Sequence, residues 1–281
     1  DNTREMQADL KADNDNTYNY KTFLRARLLD LLLGDWDRHP DQYRWVDTKK
    51  GKDKYFEPIP RDRDQALFRR QGLIPWFASR PAILPTLEGF DSKIPRIKYS
   101  LIKSSFINSY MASQFSRDEW MQITNDFTKA ITDSVIEAAF QKLPASAYNI
   151  RGKELIAQMK ERRDRIPAAM EKFYRFINRK IDIQATDKNE FFDITHTTGK
   201  GLKITAHKNS STGPVLFTKT YDHTKEIRLY LHGGNDSVIV NNGTGSTKLR
   251  IIGGSGRKVY NIVQNGKRIR LYEKDTSYVP V

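Results

Sequence analysis

The sequence predicts an α+β protein in two parts, an α-rich region over residues 1–182 and a small all-β module over residues 183–281. In the first part, apolar residues recur at helical spacing through most of the chain. Near Ile183 the period changes, and short β-type runs then alternate with turn residues. Within these runs one apolar-Arg-apolar pattern returns at spacings of 22 and 20 residues. These three observations together predict the two-part organisation.

The predicted helices of the α-rich region begin after a polar stretch. Residues 1–16 are rich in Asp and Asn, which predicts a loop or a frayed helix. Leucines at helical spacing predict a helix over residues 17–33, and Gly34 stands where a helix C-cap belongs. Prolines in residues 69–97 predict a loop that wraps the core or acts as a lid, with Pro75, Pro81, Pro85 and Pro95.

Three more helices are predicted before the β module. One covers residues 94–111. The next opens at the capping box formed by Ser116 and Glu119 and stops near Pro144. The last begins at about Gly152, and Pro167 either kinks it or starts a new segment.

Two acidic bends frame a predicted β-hairpin. The first bend is residues 34–42 and the second bend is residues 58–65. Between them, aromatic residues alternate on either side of a Lys/Gly/Asp run, and a hairpin returns the chain to its start. We therefore expect Asp37 and Asp62 to lie close together. Like charges repel unless a cation or arginines lie between them, so the sequence predicts an acidic site that needs a counter-charge.

The repeats of the β module predict stacked β-arches or a short β-solenoid rather than a sandwich. Three four-residue segments share the pattern, and Gly-Gly follows the first two; they begin at Ile227, Leu249 and Ile269. Three rungs bury little continuous core, so this module is expected to lean on the helical part. Its Tyr and Arg side chains are a candidate face for an envelope polymer, a glycan or another domain.

Composition limits the classes of function. The net charge is +14, but Lys and Arg are interleaved with Asp and Glu along the whole chain. This disfavours specific nucleic-acid binding and favours an anionic partner such as a phosphorylated ligand or an acidic surface. The absence of cysteine excludes disulfides and thiolate metal sites. The sequence has no signal peptide and no apolar run of membrane-spanning length, and its abrupt polar start is typical of a piece of a longer chain.

The residue types of the two bends suit phosphoryl transfer. This chemistry needs one carboxylate to deprotonate the attacking hydroxyl and another, with an amide or carboxylate partner, to hold Mg²⁺ against the phosphates. Asp37 is expected to act as the base, and Asp62 with Gln42 to hold the metal. Trp36 and Trp45 are expected to exclude water. The candidate residues are Asp37, Arg38 and His39 as catalytic groups, Trp36 and Arg61 as nucleotide contacts, and Asp62, Asp64, Gln42 and Asp35 as metal ligands.

A resemblance supports this interpretation. Asp37-Arg38-His39, followed by Gln42, a hairpin and Asp62, resembles the active-site core of atypical kinases: the HipA-type toxin kinases, the secretory-pathway kinases and the spore-coat CotH proteins. That resemblance implies a kinase C-lobe fold with Mg²⁺ or Mn²⁺ and ATP as cofactors. Residues 17–70 carry it best. The family has Asn or Glu where Gln42 stands, and nothing before residue 17 resembles a nucleotide-binding lobe, so that lobe lies upstream or is absent.

A longer match concerns the protein in which this segment occurs. The segments Phe-Leu-Arg-Ala-Arg-Leu, Gly-Asp-Trp-Asp-Arg-His and Pro-Arg-Asp-Arg-Asp-Gln resemble part of large bacterial envelope proteins. Those proteins are named for a calcineurin-like metallophosphoesterase domain elsewhere in the chain. The resemblance implies a location in the bacterial cell envelope, outside the cytoplasm.

Two other interpretations of the bends stay open. Asp-Arg pairs on tight turns often only tie loops together, so the bends can form a closed ion-pair network in a non-catalytic scaffold. That network would join Asp35, Asp37 and Asp62 to Arg38, Arg61 and Arg63. A hydrolytic metal cluster is the other alternative, with Asp35, Asp37, His39, Asp62 and Asp64 as hard ligands.

Overall fold

A computed structural model of the chain describes residues 1–49, 51–80, 82–94, 96–111, 114–197, 201–242, 245–263 and 268–273. The fold is mixed α/β. Pro81 and Pro95 of the predicted loop, and residues 274–281 of the predicted β module, lie outside the described residues. The helices are α1 (Thr3–Ala12), α2 (Tyr20–Leu33), α3 (Leu73–Ala78), α4 (Ile97–Ser100), α5 (Arg117–Ala130), α6 (Asp133–Phe140) and α7 (Ala145–Ile177), with 3-10 helices at Pro40–Gln42 and Ile102–Ile107.

The strands form three sheets. Their bounds are β1 (Thr17–Tyr18), β2 (Tyr43–Asp47), β3 (Tyr55–Pro60), β4 (Lys180–Gln184), β5 (Glu190–His196), β6 (Leu202–Lys208), β7 (Val215–Tyr221), β8 (Glu226–His232), β9 (Asp236–Asn242), β10 (Lys248–Gly254), β11 (Lys258–Ile262) and β12 (Ile269–Tyr272). The sheet orders are β1-β3-β2, β12-β10-β8-β4 and β11-β9-β5-β6-β7.

The N-terminal residues form a regular helix where the sequence predicted a loop or a frayed one. The Asn2 side chain accepts a hydrogen bond from the Glu5 amide, and the Glu5 carboxylate accepts one from the Asn2 amide, which makes a capping box. Helix α1 buries Thr3, Met6 and Leu10. The rest of its surface is mostly polar, so the composition of this segment did not indicate its short apolar face.

The hairpin follows the prediction, and helix α2 does so except at its start, where Thr17 and Tyr18 form strand β1 and the helix begins at Tyr20. Helix α2 ends at Gly34, whose φ of 67° places it in the left-handed region that glycine adopts at little cost. Strands β2 and β3 then pair antiparallel, and β1 pairs with β3 in parallel. The aromatic cluster beneath this sheet contains Tyr18, Phe23, Tyr43, Trp45 and Phe56.

The later helices differ from the prediction at their boundaries. The helix predicted over residues 94–111 is the short α4 followed by a 3-10 helix, with a break at Leu101. The capping box at Ser116 is confirmed, but the helix it opens ends at Ala130. The Thr132 side chain then accepts a hydrogen bond from the Val135 amide and starts α6 as a separate helix. Pro167 lies inside a continuous α7.

In the β module, strands β4, β8, β10 and β12 pair in parallel and in register. Leu249, the first residue of the middle repeat, pairs directly with Ile227 on one side and with Ile269 on the other. Strands β11, β9 and β5 are parallel in a second sheet, which the antiparallel β6 and β7 extend. Alternate side chains of the two sheets form one apolar core, which includes Ile183, Ile194, Val238 and Ile251.

The helical part and the β module have separate hydrophobic cores, and Met111 of the helical part packs against the core of the β module. Polar contacts also join the two parts. Lys11 of α1 forms an ion pair with Asp187 at 2.8 Å. The backbone N–H of Gln184 donates to the Ser109 carbonyl oxygen at 2.9 Å. Within the described residues, the helices include none that is long and apolar enough to span a membrane.

Candidate functional site

Arg38 joins the two acidic bends. Its side chain is only 2% exposed. Its guanidinium donates to Gln42 Oε1 at 3.1 Å and to the backbone carbonyl oxygens of Arg61 and Asp62. The first bend therefore holds the second by its backbone, as expected when a hairpin returns the chain to its start.

Asp30, which was not among the candidate residues, is the principal acidic partner of Arg38. Asp30 is fully buried in α2, and its Oδ2 lies 3.4 Å from Arg38 Nε. Its Oδ1 pairs with Arg63, and the Tyr43 hydroxyl donates to Oδ2 at 3.3 Å. Burial raises the pKa of Asp30, while Arg63 and then Arg38 oppose that rise. An aspartate within an otherwise apolar run of leucines is the sequence signal that could have found it.

Asp35 lies with Asp30 beneath the surface rather than with the second bend. Its Oδ2 is 3.8 Å from Arg38 Nε. Burial raises the pKa of Asp35 to about 6, and the negative charge of Asp30 adds to the rise while Arg38 opposes it. Asp35 was proposed as a metal ligand. In this position it acts on Arg38 instead.

Gln42 also faces Arg38. The side chain is buried, and its Oε1, the atom proposed to bind metal, accepts the hydrogen bond from Arg38. Its backbone carbonyl oxygen accepts from the Arg61 amide at 2.8 Å. Gln42 therefore positions the second bend through both its side chain and its backbone.

Asp37 remains partly exposed and has a lysine partner. Its Oδ1 forms an ion pair with Lys103 of the second 3-10 helix. Lys103 Nζ also lies 5.0 Å from the centroid of the Trp36 ring. The adjacent Ser104 hydroxyl donates to the Arg38 carbonyl oxygen at 2.9 Å, which fixes this helix against the first bend. Sequence reasoning missed Lys103 because it lies 66 positions from Asp37 in an undistinguished polar stretch.

Asp62 and Asp64 are exposed at the second bend. Asp62 has a φ of 53°, a left-handed conformation that is uncommon for a residue with a side chain. The hydrogen bond from Arg38 to its carbonyl oxygen holds it there. Its Oδ1 accepts from the Asp64 amide at 3.3 Å, and Asp64 Oδ2 accepts from Gln65 Nε2 at 3.1 Å. These contacts leave both carboxylates facing solvent.

The remaining candidate residues surround this arrangement less tightly. His39 is partly exposed, with Nδ1 at 3.7 Å from Asp41 Oδ2, and the Arg61 side chain is exposed. Trp36 is half-buried against Phe68, with ring centroids 6.5 Å apart. The expectation that Trp45 excludes water from the site was wrong. Trp45 is buried in the aromatic cluster, and its indole nitrogen donates to Thr3 Oγ1 at 3.1 Å.

The donor set decides which metal arrangement fits. Over the described ranges, no three His, Asp or Glu side chains are grouped so that they could hold a metal ion. This does not fit the hydrolytic cluster, which needs several protein ligands on each ion. Magnesium in phosphoryl-transfer sites instead takes one or two carboxylates and completes its shell with water and phosphate oxygens. The exposed carboxylate oxygens of Asp62 and Asp64 are hard ligands that suit an ion whose shell is completed by water and phosphate.

Fold and site together define a mixed α/β protein in which a buried arginine–carboxylate cluster supports two acidic bends. No family model, curated protein or solved structure matches the chain. The features that bear on its function are the geometry of the two bends and the resemblance of their residues to the active-site core of atypical kinases.

Proposed function

We propose that the two bends form a kinase-like site that binds nucleotide phosphates with Mg²⁺ or Mn²⁺ and supports phosphoryl transfer. One observation carries the proposal. Arg38 is neutralised by the buried Asp30 and Asp35, so the carboxylates of Asp37, Asp41, Asp62 and Asp64 stay exposed or partly exposed on the two bends. The ion-pair network therefore leaves acidic groups accessible on both bends, which supports the proposal.

The residues take distinct roles in this proposal. Asp62 would hold the ion and Asp64 a second one, and the bound ion would offset charge on the phosphates. Asp37, oriented by Lys103, accepts the proton of the attacking hydroxyl. Lys103 and the exposed Arg61 are cationic groups that could contact phosphate oxygens. Gln42 braces the second bend instead of binding metal, which revises its expected role.

The order of elements supports a kinase C-lobe-like interpretation of the helical part. A buried helix delivers the first bend, an antiparallel strand pair follows, and the pair delivers the second bend. This order is what the resemblance to atypical kinases requires of residues 17–70. For the β module we propose a short parallel solenoid, supported by the in-register pairing of β4, β8, β10 and β12. The envelope location and the polymer-binding face stay predictions.

Thermal unfolding with Mg²⁺ and ATP, each alone and together, tests the proposed site. A ligand that binds only the native state stabilises it by about 2.7 kcal/mol at a hundredfold excess over its Kd. The combination should therefore raise the Tm of the wild type by a few degrees. Asp62→Asn, which removes the charge but keeps the shape, should abolish the shift.

Asp41→Asn is the matched control, because Asp41 is an exposed carboxylate of the first bend that has no assigned role in the site. It should leave the ligand-induced shift unchanged. A wild type whose Tm does not respond, or an equal loss of response in both variants, contradicts a phosphotransfer site in this chain.

The second candidate function is a non-catalytic scaffold within a larger envelope protein. The contact of Arg38 with both bends favours it, because a closed network of this kind stabilises a fold without any ligand. In that case neither Asp62→Asn nor added nucleotide changes the Tm, whereas loss of Arg38 lowers it strongly.

A further inference from the structure

A cavity of about 590 Å³ lies where the helical part meets the β module. Its walls come from the second 3-10 helix and the residues after it, from α5 and α7, and from strands β4 and β7. Its apolar wall residues include Phe115, Tyr174, Phe176, Ile177 and Ile181, of which Phe176 and Ile177 keep exposed surface. This volume is in the range of small-molecule sites, which are mostly apolar with a few placed polar groups.

Lys219 is the buried charged group of this cavity. It enters from β7 and is only 7% exposed. Its ammonium donates to the Phe115 carbonyl oxygen and lies 4.9 Å from the ring centroid of Tyr221 and 5.9 Å from that of Tyr174. An ammonium has three donors, and the described residues supply one hydrogen-bond acceptor. Lys219 therefore keeps donor capacity for a group that enters the cavity.

The other polar groups of the wall also suit an anion. Arg179 and Lys180 are exposed wall residues. Asp182, the acidic residue of the wall, is engaged by Arg228, whose Nη2 donates to Asp182 Oδ2 at 2.8 Å. Asn108 Nδ2 is a buried donor without a partner among the described residues. The wall thus offers cations and a free donor, with its carboxylate already paired.

We propose that this cavity binds a small organic anion with an aromatic or aliphatic body. The anionic head pairs with the Lys219 ammonium, which is worth more inside a poorly hydrated cavity than at the surface. The body packs against Phe176 and Ile177, the apolar wall residues that keep exposed surface. The wall contains no residue of either acidic bend, so this site is independent of the proposed phosphotransfer site.

Two dyes that differ in one charged group test the proposal. The first is 8-anilinonaphthalene-1-sulfonate, an aromatic anion, and the second is N-phenyl-1-naphthylamine, which has the same rings without the sulfonate. Fluorescence titration should show that the folded wild type binds the anionic dye at one site. Lys219→Met should weaken this binding at least tenfold and leave the affinity for the neutral dye within twofold.

Two further variants keep the test decisive. Lys219→Arg retains the positive charge and should retain most of the affinity for the anionic dye. Lys203→Met removes a charge from the exposed face of the adjacent strand β6 and should change neither titration. The proposal is overturned if the wild type binds no anionic dye, if Lys219→Met binds it as tightly as the wild type, or if that variant loses both dyes equally.

Discussion

Arg38 is the residue that decides what the acidic bends can do. It was predicted to be a catalytic group, and from a buried position it contacts the Gln42 side chain and the backbone of both bends. Asp30 and Asp35 supply the opposite charge that stabilises this buried arginine. Because its charge is paired with these two buried acids, the arginine does not neutralise Asp37, Asp62 or Asp64.

Replacing Arg38 with methionine tests this network. The variant leaves Asp30 buried with Arg63 as its remaining cation, and breaking a buried ion pair costs about 3–5 kcal/mol. Urea denaturation should show a loss of that size. Arg44→Met, on the exposed face of β2, should cost no more than about 0.5 kcal/mol.

A double variant separates the charge effect from lost packing. Adding Asp30→Asn to Arg38→Met removes the buried charge that has lost one of its two cations, so it should recover part of the lost stability. Equal losses for Arg38→Met and Arg44→Met, or a further loss in the double variant, contradict the network.

At the scale of the element, local signals predicted helix ends better than helix lengths. The capping box at Ser116 and the left-handed Gly34 are determined by a few neighbouring residues, and both are confirmed. Helix α1 and the break at Thr132 have equally local caps, but their apolar patterns gave no reason to look for them. The sequence also suggested β-type runs without saying which runs pair.

The pairing of the β rungs can be tested by engineered disulfides, because the chain has no cysteine of its own. Arg250 and Arg270 are direct partners on the neighbouring strands β10 and β12. Adjacent strands are about 4.8 Å apart, within the Cα separation that a disulfide spans. Arg250→Cys with Arg270→Cys should therefore cross-link on mild oxidation, as measured by thiol titration.

The matched control places the cysteines one strand further apart. Arg228 and Arg270 flank β10 on either side, so their Cα atoms are about 10 Å apart, too far for a disulfide. Arg228→Cys with Arg270→Cys should keep free thiols. Cross-linking in this pair, or its absence in the first pair, would show that the register is wrong.

At the scale of the whole molecule, the junction between the two cores buries a lysine. Burial lowers the pKa of Lys219 to about 7, while Glu119 of α5 opposes the shift. The aromatic groups that face it are Tyr174 of α7 and Tyr221 of β7. Burying a positive charge here lowers the stability of the folded state at any pH where Lys219 is protonated.

This arrangement predicts how stability depends on pH. Between pH 7 and about 10.5 the unfolded chain binds a proton at Lys219 that the folded chain has released. The free energy of unfolding of the wild type should therefore rise with pH relative to Lys219→Met, which lacks this ionisation. The comparison is best made by urea denaturation from pH 7 to 9.5, below the range in which tyrosines titrate.

Lys203→Met serves again as the control, since it removes a lysine from the exposed face of the neighbouring strand β6. The difference between wild type and Lys203→Met should stay constant over this range. A difference between wild type and Lys219→Met that is also constant, or that falls with pH, contradicts a buried lysine at the junction.

By itself, the sequence determined the two-part order of helices and strands, the hairpin between the acidic bends and the residue types of the candidate site, because these depend on local periodicity, caps and turns. Only the tertiary structure decided that Arg38 pairs with Asp30, that Lys103 reaches Asp37 and that Lys219 lines a cavity between the two cores. The last two bring together residues far apart in the chain, and Asp30 and Arg38 lie on different elements, helix α2 and the first bend. The strength of these contacts comes from burial, which no short stretch of sequence reports.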